Sequence, residues 1–197
     1  MAAAHKRVAV PAGVRRAYGE LDRGQVVAAL HNLARRVGVE RVTMRELAAE
    51  LGVAAPSVYY HVPGKQAALN LLAESVLASI PIPETGPWDV RLVELYCAAR
   101  KAILSVPGTA GLLQGNRGGE SARHLDRVSR SLLAEAGLAK VGAAAAHTVL
   151  YTYLLGSVSL EESGAVATAA RGKRHAAARF RAGLDVITAG IRTSAVW

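Results

Sequence analysis

The chain has 197 residues, 51% of them apolar, a single cysteine and a formal net charge of +9 at pH 7. That length buries a good core in one or two domains, the lone Cys97 excludes an intrachain disulfide framework, and the opening residues carry no secretory apolar run. A cytoplasmic protein in a reducing compartment is therefore expected, with a basic balance that points toward phosphate backbones.

The charge is spread: ten Lys/Arg stand against six Asp/Glu through Ser79 and fourteen against nine beyond it, so charge alone does not locate a nucleic-acid site. Residues 1–21 hold Lys6, Arg7, Arg15 and Arg16 among Ala, Pro and Gly. Such an arm is expected to be disordered until bound; it either follows phosphates or a minor groove, or stays a solvated tail. Asp22 then caps a first helix, Arg23 to Val37, whose Val26, Val27, Leu30, Leu33, Ala34 and Val37 recur at helical spacing before Gly38 ends it.

From Thr43 to Lys65 the pattern is more specific. Thr43 and Glu46 have the spacing of a capping box, and Leu47, Ala48 and Leu51 share one face, leaving Arg45, Glu46, Ala49 and Glu50 outside. Gly52 supplies a left-handed turn, Val53 can plug inward, and Pro56 is tolerated only in a first helical turn, so a second short helix starts near Ala55. Val58 and Val62 hold that helix to the domain, and Ser57, Tyr59, Tyr60 and His61 cannot all be buried beside them. Two short helices joined by a glycine turn match a helix-turn-helix, whose second helix enters the major groove. An ordinary helical hairpin is the alternative, but it gains nothing from exposing two tyrosines and a histidine beside Lys65.

A helix from Lys65 to about Ser79 sets Ala68, Leu69, Leu72, Val76 and Ile80 along one side. The Pro81, Pro83, Gly86, Pro87 cluster then marks a boundary between a DNA-binding unit, residues 22–80, and a second unit, residues 81–197. In the second unit the spacing predicts a long helix from Trp88 to Val106, a short one near Ala110 to Leu113, and others over Ser121 to Ala136 and Val141 to Glu162. Gly164 to Lys173 reads as a loop before a last helix carrying Phe180, Leu184, Ile187 and Ile191. No strand pattern or repeat competes, so the expected fold is all-α: a three-helix helix-turn-helix domain followed by a helical bundle, about nine helices in total.

Val141 to Leu160 lacks formal charge, yet His147, Thr148, Tyr151, Thr152, Tyr153, Ser157 and Ser159 favour burial in a bundle or against a second subunit over a membrane span. Cys97 reads as a small buried hydrophobe rather than a redox sensor. His124 and Asp126 are too close on one helix to face a common site, His147 has no partner at metal-ligand spacing, and no Gly-rich phosphate loop follows a strand. Neither an enzyme nor a metal or other cofactor is expected.

Thr43, Arg45, Leu47, Ala48, Leu51, Gly52, Val53, Pro56, Tyr59, His61 and Lys65 resemble the DNA-binding signature of the tetracycline-repressor (TetR) family over about the first 80 residues, and the remainder resembles that family's all-helical regulatory half. The resemblance implies a homodimer on a palindromic double-stranded DNA operator, released by a small-molecule effector, with repression as the default. It carries DNA contacts onto Thr43, Arg45, Ala55, Pro56, Ser57, Tyr59, Tyr60, His61 and Lys65. Thr43, Ser57 and Lys65 suit phosphates, Arg45 a phosphate or a base, and Tyr60 and Pro56 thymine methyls or sugars; Tyr59 and His61 resemble the family's phosphate-clamping pair. Ala54 and Ala55 depart from the family pattern, standing where a polar base reader is common, and Pro63 and Gly64 replace a more usual polar turn. Bidentate readout worth about 1–3 kcal/mol per base pair then comes from Arg45 or is absent, leaving phosphates and DNA shape to do most of the reading.

A four-helix dimer interface is implied as well, and Ala143, Ala146, Leu154, Gly156, Phe180, Leu184, Ile187 and Ile191 are its candidates unless they complete the protomer's own core. An effector pocket is expected among Trp88, Tyr96, Arg100, Leu112, Asn116, His124, His147 and Tyr151, each of which alternatively packs in the core or lies at the surface. The competing function class is a helical ligand carrier or scaffold without sequence-selective DNA binding.

Overall fold

The computed structural model describes residues 21–115, 119–164 and 170–194. Among these residues there are nine α-helices, one 3-10 turn and no strand. The basic arm through residue 20 and Asn116 lie outside the described residues.

The first four helices form one small unit: α1 (Arg23–Val37), α2 (Met44–Leu51), α3 (Ala55–His61) and α4 (Lys65–Ala78), with the 3-10 turn Val39–Arg41 between α1 and α2. A complete capping box sits at α1, where Asp22 accepts the Gln25 N–H at 2.8 Å and Gln25 accepts the Asp22 N–H at 3.4 Å. At α2 the expected box is only half made. Thr43 Oγ1 accepts the Glu46 N–H at 3.2 Å, but the Glu46 carboxylate takes the Thr43 hydroxyl proton at 2.8 Å instead of the cap's own N–H. Gly52 ends α2 at φ 68°, a left-handed conformation that a side chain would strain, and the Val53 N–H turns back to the Ala48 carbonyl at 3.1 Å. Leu30, Leu33, Leu47, Val58 and Leu72 are wholly buried where the four helices meet. His31 on α1 is tied to Ser75 on α4 at 2.8 Å.

The second unit comprises α5 (Trp88–Leu104), α6 (Thr109–Gly115), α7 (Glu120–Glu135), α8 (Lys140–Glu162) and α9 (Ala170–Ser194). The last helix begins inside the stretch read as a loop: the apolar positions that define its face appear only from Ala176 onward, so its first turns carry no periodic signal. Leu92, Ile103, Leu132, Leu133, Leu150, Val158 and Leu184 form a second core, continuous with Ala73 and Ile80 at the end of α4. The two units share a seam. Val106, beyond the boundary read from the proline cluster, belongs to the N-terminal core, and the Val39 N–H donates to the Pro107 carbonyl at 3.1 Å. The Gly108 N–H donates to Glu162 at 2.9 Å, tying the same turn to the end of α8.

By length and composition α8 is apolar enough to cross a membrane. In the bundle it buries Ala143, Leu150, Leu154, Leu155 and Val158 on one side and leaves Val141, Val149 and Leu160 exposed on the other.

Candidate nucleic-acid interface and internal cavity

The outer face of α3 is built by default as much as by design. Ala54 caps it without a side-chain hydrogen bond, Pro56 sets its first turn, and Val58 is its one fully buried residue. With a single anchor, the other positions turn outward: Tyr59 is 51% and Tyr60 80% exposed, and His61 beside them is exposed too. The Tyr60 and His61 rings meet edge to face at 5.3 Å, which stiffens an apolar but hydrogen-bonding tip. Pro56, Thr43 and Arg45 are also exposed on the α2–α3 surface, with Ser57 and Ala55 half-buried. The expected DNA-contacting residues therefore share one region.

Two of them are engaged within the fold. The Thr43 hydroxyl is committed to Glu46, and Lys65 Nζ donates to the Glu40 carbonyl at 2.7 Å, folding the side chain over the 3-10 turn rather than projecting it from the start of α4. Lys65 is exposed there, so its charge still adds to this face. Arg45 makes no hydrogen bond or ion pair among the described residues.

Between the end of α4 and helices α5 to α8 lies a cavity of about 300 Å³. Leu77, Ile80, Leu95, Ala99, Ile103 and Leu113 form its apolar side, and α7 and α8 contribute Asp126, Ser129, Arg130, His147 and Thr152. Tyr96 reaches in from α5. Its hydroxyl lies 3.0 Å from Ser129 Oγ and 3.3 Å from His147 Nδ1, while His147 Nε2 meets Asp126 at 2.9 Å and Arg130 Nε donates to the same carboxylate at 2.8 Å. Burial pushes the Tyr96 phenol well above its ordinary pKa, the Ser129 hydrogen bond opposing that only in part, so it works as a neutral hydroxyl. The His147 and Tyr151 rings stack at 6.2 Å along the same wall.

Of the expected effector residues, Tyr96, His147 and Tyr151 line this cavity. Arg100 is not among its lining residues: it makes a two-bonded ion pair with Glu161 and lies over the Phe180 ring at 5.6 Å, bracing α5 to α8 and α9. Trp88 and Leu112 pack on the cores, and His124 is exposed. Asp126, Ser129 and Arg130 were missed. Their signal was present in α7, where Ala122, Leu125, Asp126 and Ser129 fall on one helical stripe and polar residues interrupt an apolar face.

The expected dimer residues divide similarly. Ala143, Leu154, Phe180, Leu184 and Ile191 are buried within the protomer and leave almost no surface for a second chain. Ala146 and Ile187 are half-buried and Gly156 is exposed; Val141, Val149, Leu160 and Val186 are the large exposed apolar residues of the same two helices.

A hydrogen bond also fastens α4 to α7. Glu74 of α4 accepts the Ser121 N–H at 2.7 Å and so caps α7, whose own cap residue, Gly119, offers no side chain. A Cβ at Gly119 would run into Glu74 Oε2, so a larger residue there makes the flexible Glu74 side chain shift. The helix that carries Asp126 and Arg130 into the cavity is thereby fastened to the helix that follows α3.

Residues 26–72 match the family described as "Bacterial regulatory proteins, tetR family", and residues 80–179 match "Tetracyclin repressor-like, C-terminal domain". An HTH-type transcriptional regulator of Saccharopolyspora erythraea is 31% identical over 144 residues, spanning 72% of this chain but only 61% of that protein. The class A tetracycline repressor of transposon 1721 from Escherichia coli is 31% identical over 150 residues, 74% of this chain and 69% of the repressor. Among solved structures, a TetR variant of Acinetobacter baumannii in complex with minocycline superposes with a TM-score of 0.77 at 31% identity, covering 88% of this chain and 98% of that one. BioQ with its natural double-stranded DNA operator superposes at 0.74 with 25% identity, covering 88% and 99%. With both of its units matched, the chain belongs to the TetR family of bacterial regulatory proteins.

Proposed function

We propose that this protein is a ligand-responsive transcriptional repressor that binds a palindromic DNA operator as a homodimer and leaves it when a small molecule occupies the cavity. The observation that carries the reading is the pairing of an exposed aromatic recognition helix, α3, with an internal cavity whose α7 wall is capped by Glu74 of the adjoining α4. Solved relatives, one with an operator and one with a drug, support both halves of it.

A monomeric helix-turn-helix spans one half-site, so two copies are needed to read a palindrome. The exposed apolar residues Val141, Val149, Leu160 and Val186 on α8 and α9 are the surface on which a second copy docks. That second copy, rather than lipid, accounts for the apolar outer side of α8. Release follows from linkage. A molecule that binds the DNA-incompetent arrangement better by about 1–3 kcal/mol weakens operator binding roughly 5- to 150-fold.

Titrating a fluorescent random-sequence duplex at several salt concentrations tests the reading against a ligand carrier that merely keeps the bundle. A regulator shows log affinity falling linearly with log salt, and weaker binding in an Arg45→Ala, Lys65→Ala double variant. Undetectable or salt-insensitive binding would sink it.

A further inference from the structure

The polar wall of the cavity has a chemical direction. Its one carboxylate, Asp126, already accepts from Arg130 Nε at 2.8 Å and meets His147 Nε2 at 2.9 Å through the same oxygen. Tyr96, Ser129 and His147 Nδ1 satisfy one another within 3.0–3.3 Å. The Thr148 hydroxyl spends its proton on the Ala144 carbonyl at 3.0 Å. What remains on offer is donor capacity. Arg130 commits Nε to Asp126, four residues earlier on α7, which fixes the guanidinium plane and leaves its two terminal nitrogens without a partner among the described residues.

A cationic ligand would have to draw Asp126 away from two donors, whereas a planar carboxylate matches the fork of a pre-oriented guanidinium. The opposite side, from α4, α5 and α6, is apolar apart from the Tyr96 hydroxyl, which is already engaged with Ser129 and His147. We infer that the effector is an amphipathic organic acid, its carboxylate seated on Arg130 at the cavity mouth and its apolar body of fused-ring size lodged between α4, α5 and α6. This rests on the cavity being the effector site. Arg130 is 44% exposed, so solvent screens the pair and its contribution is about tenfold in affinity rather than a thousandfold.

Three fluorescent probes with one shared body test this on the full chain at neutral pH: anthracene-2-carboxylate, anthracene-2-methanol and anthracen-2-ylmethylammonium. The acid should bind about tenfold tighter than the other two, and Arg130→Met should remove that preference while leaving the alcohol's affinity unchanged, which also certifies the fold. Equal affinities, tighter binding of the amine, or an acid preference that survives Arg130→Met would overturn the acid assignment and leave the cavity reading standing. Ala99→Phe fills the apolar side and should weaken all three probes. Binding that Ala99→Phe leaves untouched, or no binding by any probe, overturns the cavity reading and this inference together.

Discussion

Arg100 shows why a polar residue on an amphipathic helix cannot be assigned from its own position. Its place on α5 made it a candidate for a ligand, but its partners, Glu161 and Phe180, lie 61 and 80 residues away and no local pattern announces them. Both members of the ion pair are about a tenth exposed, at 11% and 13%. Removing one alone leaves a charge stranded at low dielectric, so Arg100→Met should cost about 3–5 kcal/mol in urea unfolding, and adding Glu161→Leu should recover most of it. An equally destabilised double variant would contradict this.

His31 carries a different sign. Ser75 Oγ donates to the Leu72 carbonyl at 2.8 Å, so it accepts from His31 Nε2–H, and Nδ1 is left buried without a donor to accept. Burial first, and the Arg35 charge second, lower the His31 pKa from 6.5. The unfolded chain then binds the extra proton more readily. Stability that is complete above pH 6.5 should therefore be lost as pH falls through that value toward the lowered one, and His31→Gln should flatten that part of the melting-temperature profile. On the DNA face, Lys65→Ala should weaken all duplexes alike and reduce the salt slope by about 0.9, whereas Arg45→Ala should relax selectivity at particular base pairs. Weakening by Lys65→Ala confined to one sequence would contradict its phosphate role.

At the scale of elements, α1 to α5 were legible because each has an apolar stripe bounded by a cap, glycine or proline: Asp22 and Gly38, Thr43 and Gly52, Pro56, and the cluster before Trp88. The seam between the units was not. Nothing local says that Val106 belongs with α1 to α4, or that the Pro107 carbonyl receives the Val39 N–H, because both depend on how two separate helical layers meet. The cap on α7 is the same kind of fact. A glycine at an N-cap reads as a weak start, and only the fold brings Glu74 to it. If that cap transmits between cavity and recognition helix, binding of an enriched duplex should change hydrogen exchange in the first turn of α7. Glu74→Ala should abolish the change. An identical response in wild type and variant would assign transmission to the Pro107–Val39 seam instead.

For the whole molecule, the proposed dimer would cover the exposed apolar residues of α8 and α9 with a second copy and let the bundle space the outward tyrosines of the two α3 helices. The sequence pattern proposes α8 and α9 for that contact, but most of the residues it names are buried by the protomer, since periodicity shows that a helix has an apolar face and not which of two apolar faces is covered by its own chain. The exposure of Tyr59, Tyr60 and His61 was more legible, because it follows from the single inward anchor at Val58. Selection of binding sites from random DNA by the full chain tests whether it reads a palindrome as a dimer. An enriched palindrome is expected, with half-sites about one helical turn, 34–36 Å, or a multiple of it apart, and tolerant at many positions because α3 offers few base-reading groups. Enrichment of no motif, or of a solitary half-site, would contradict it.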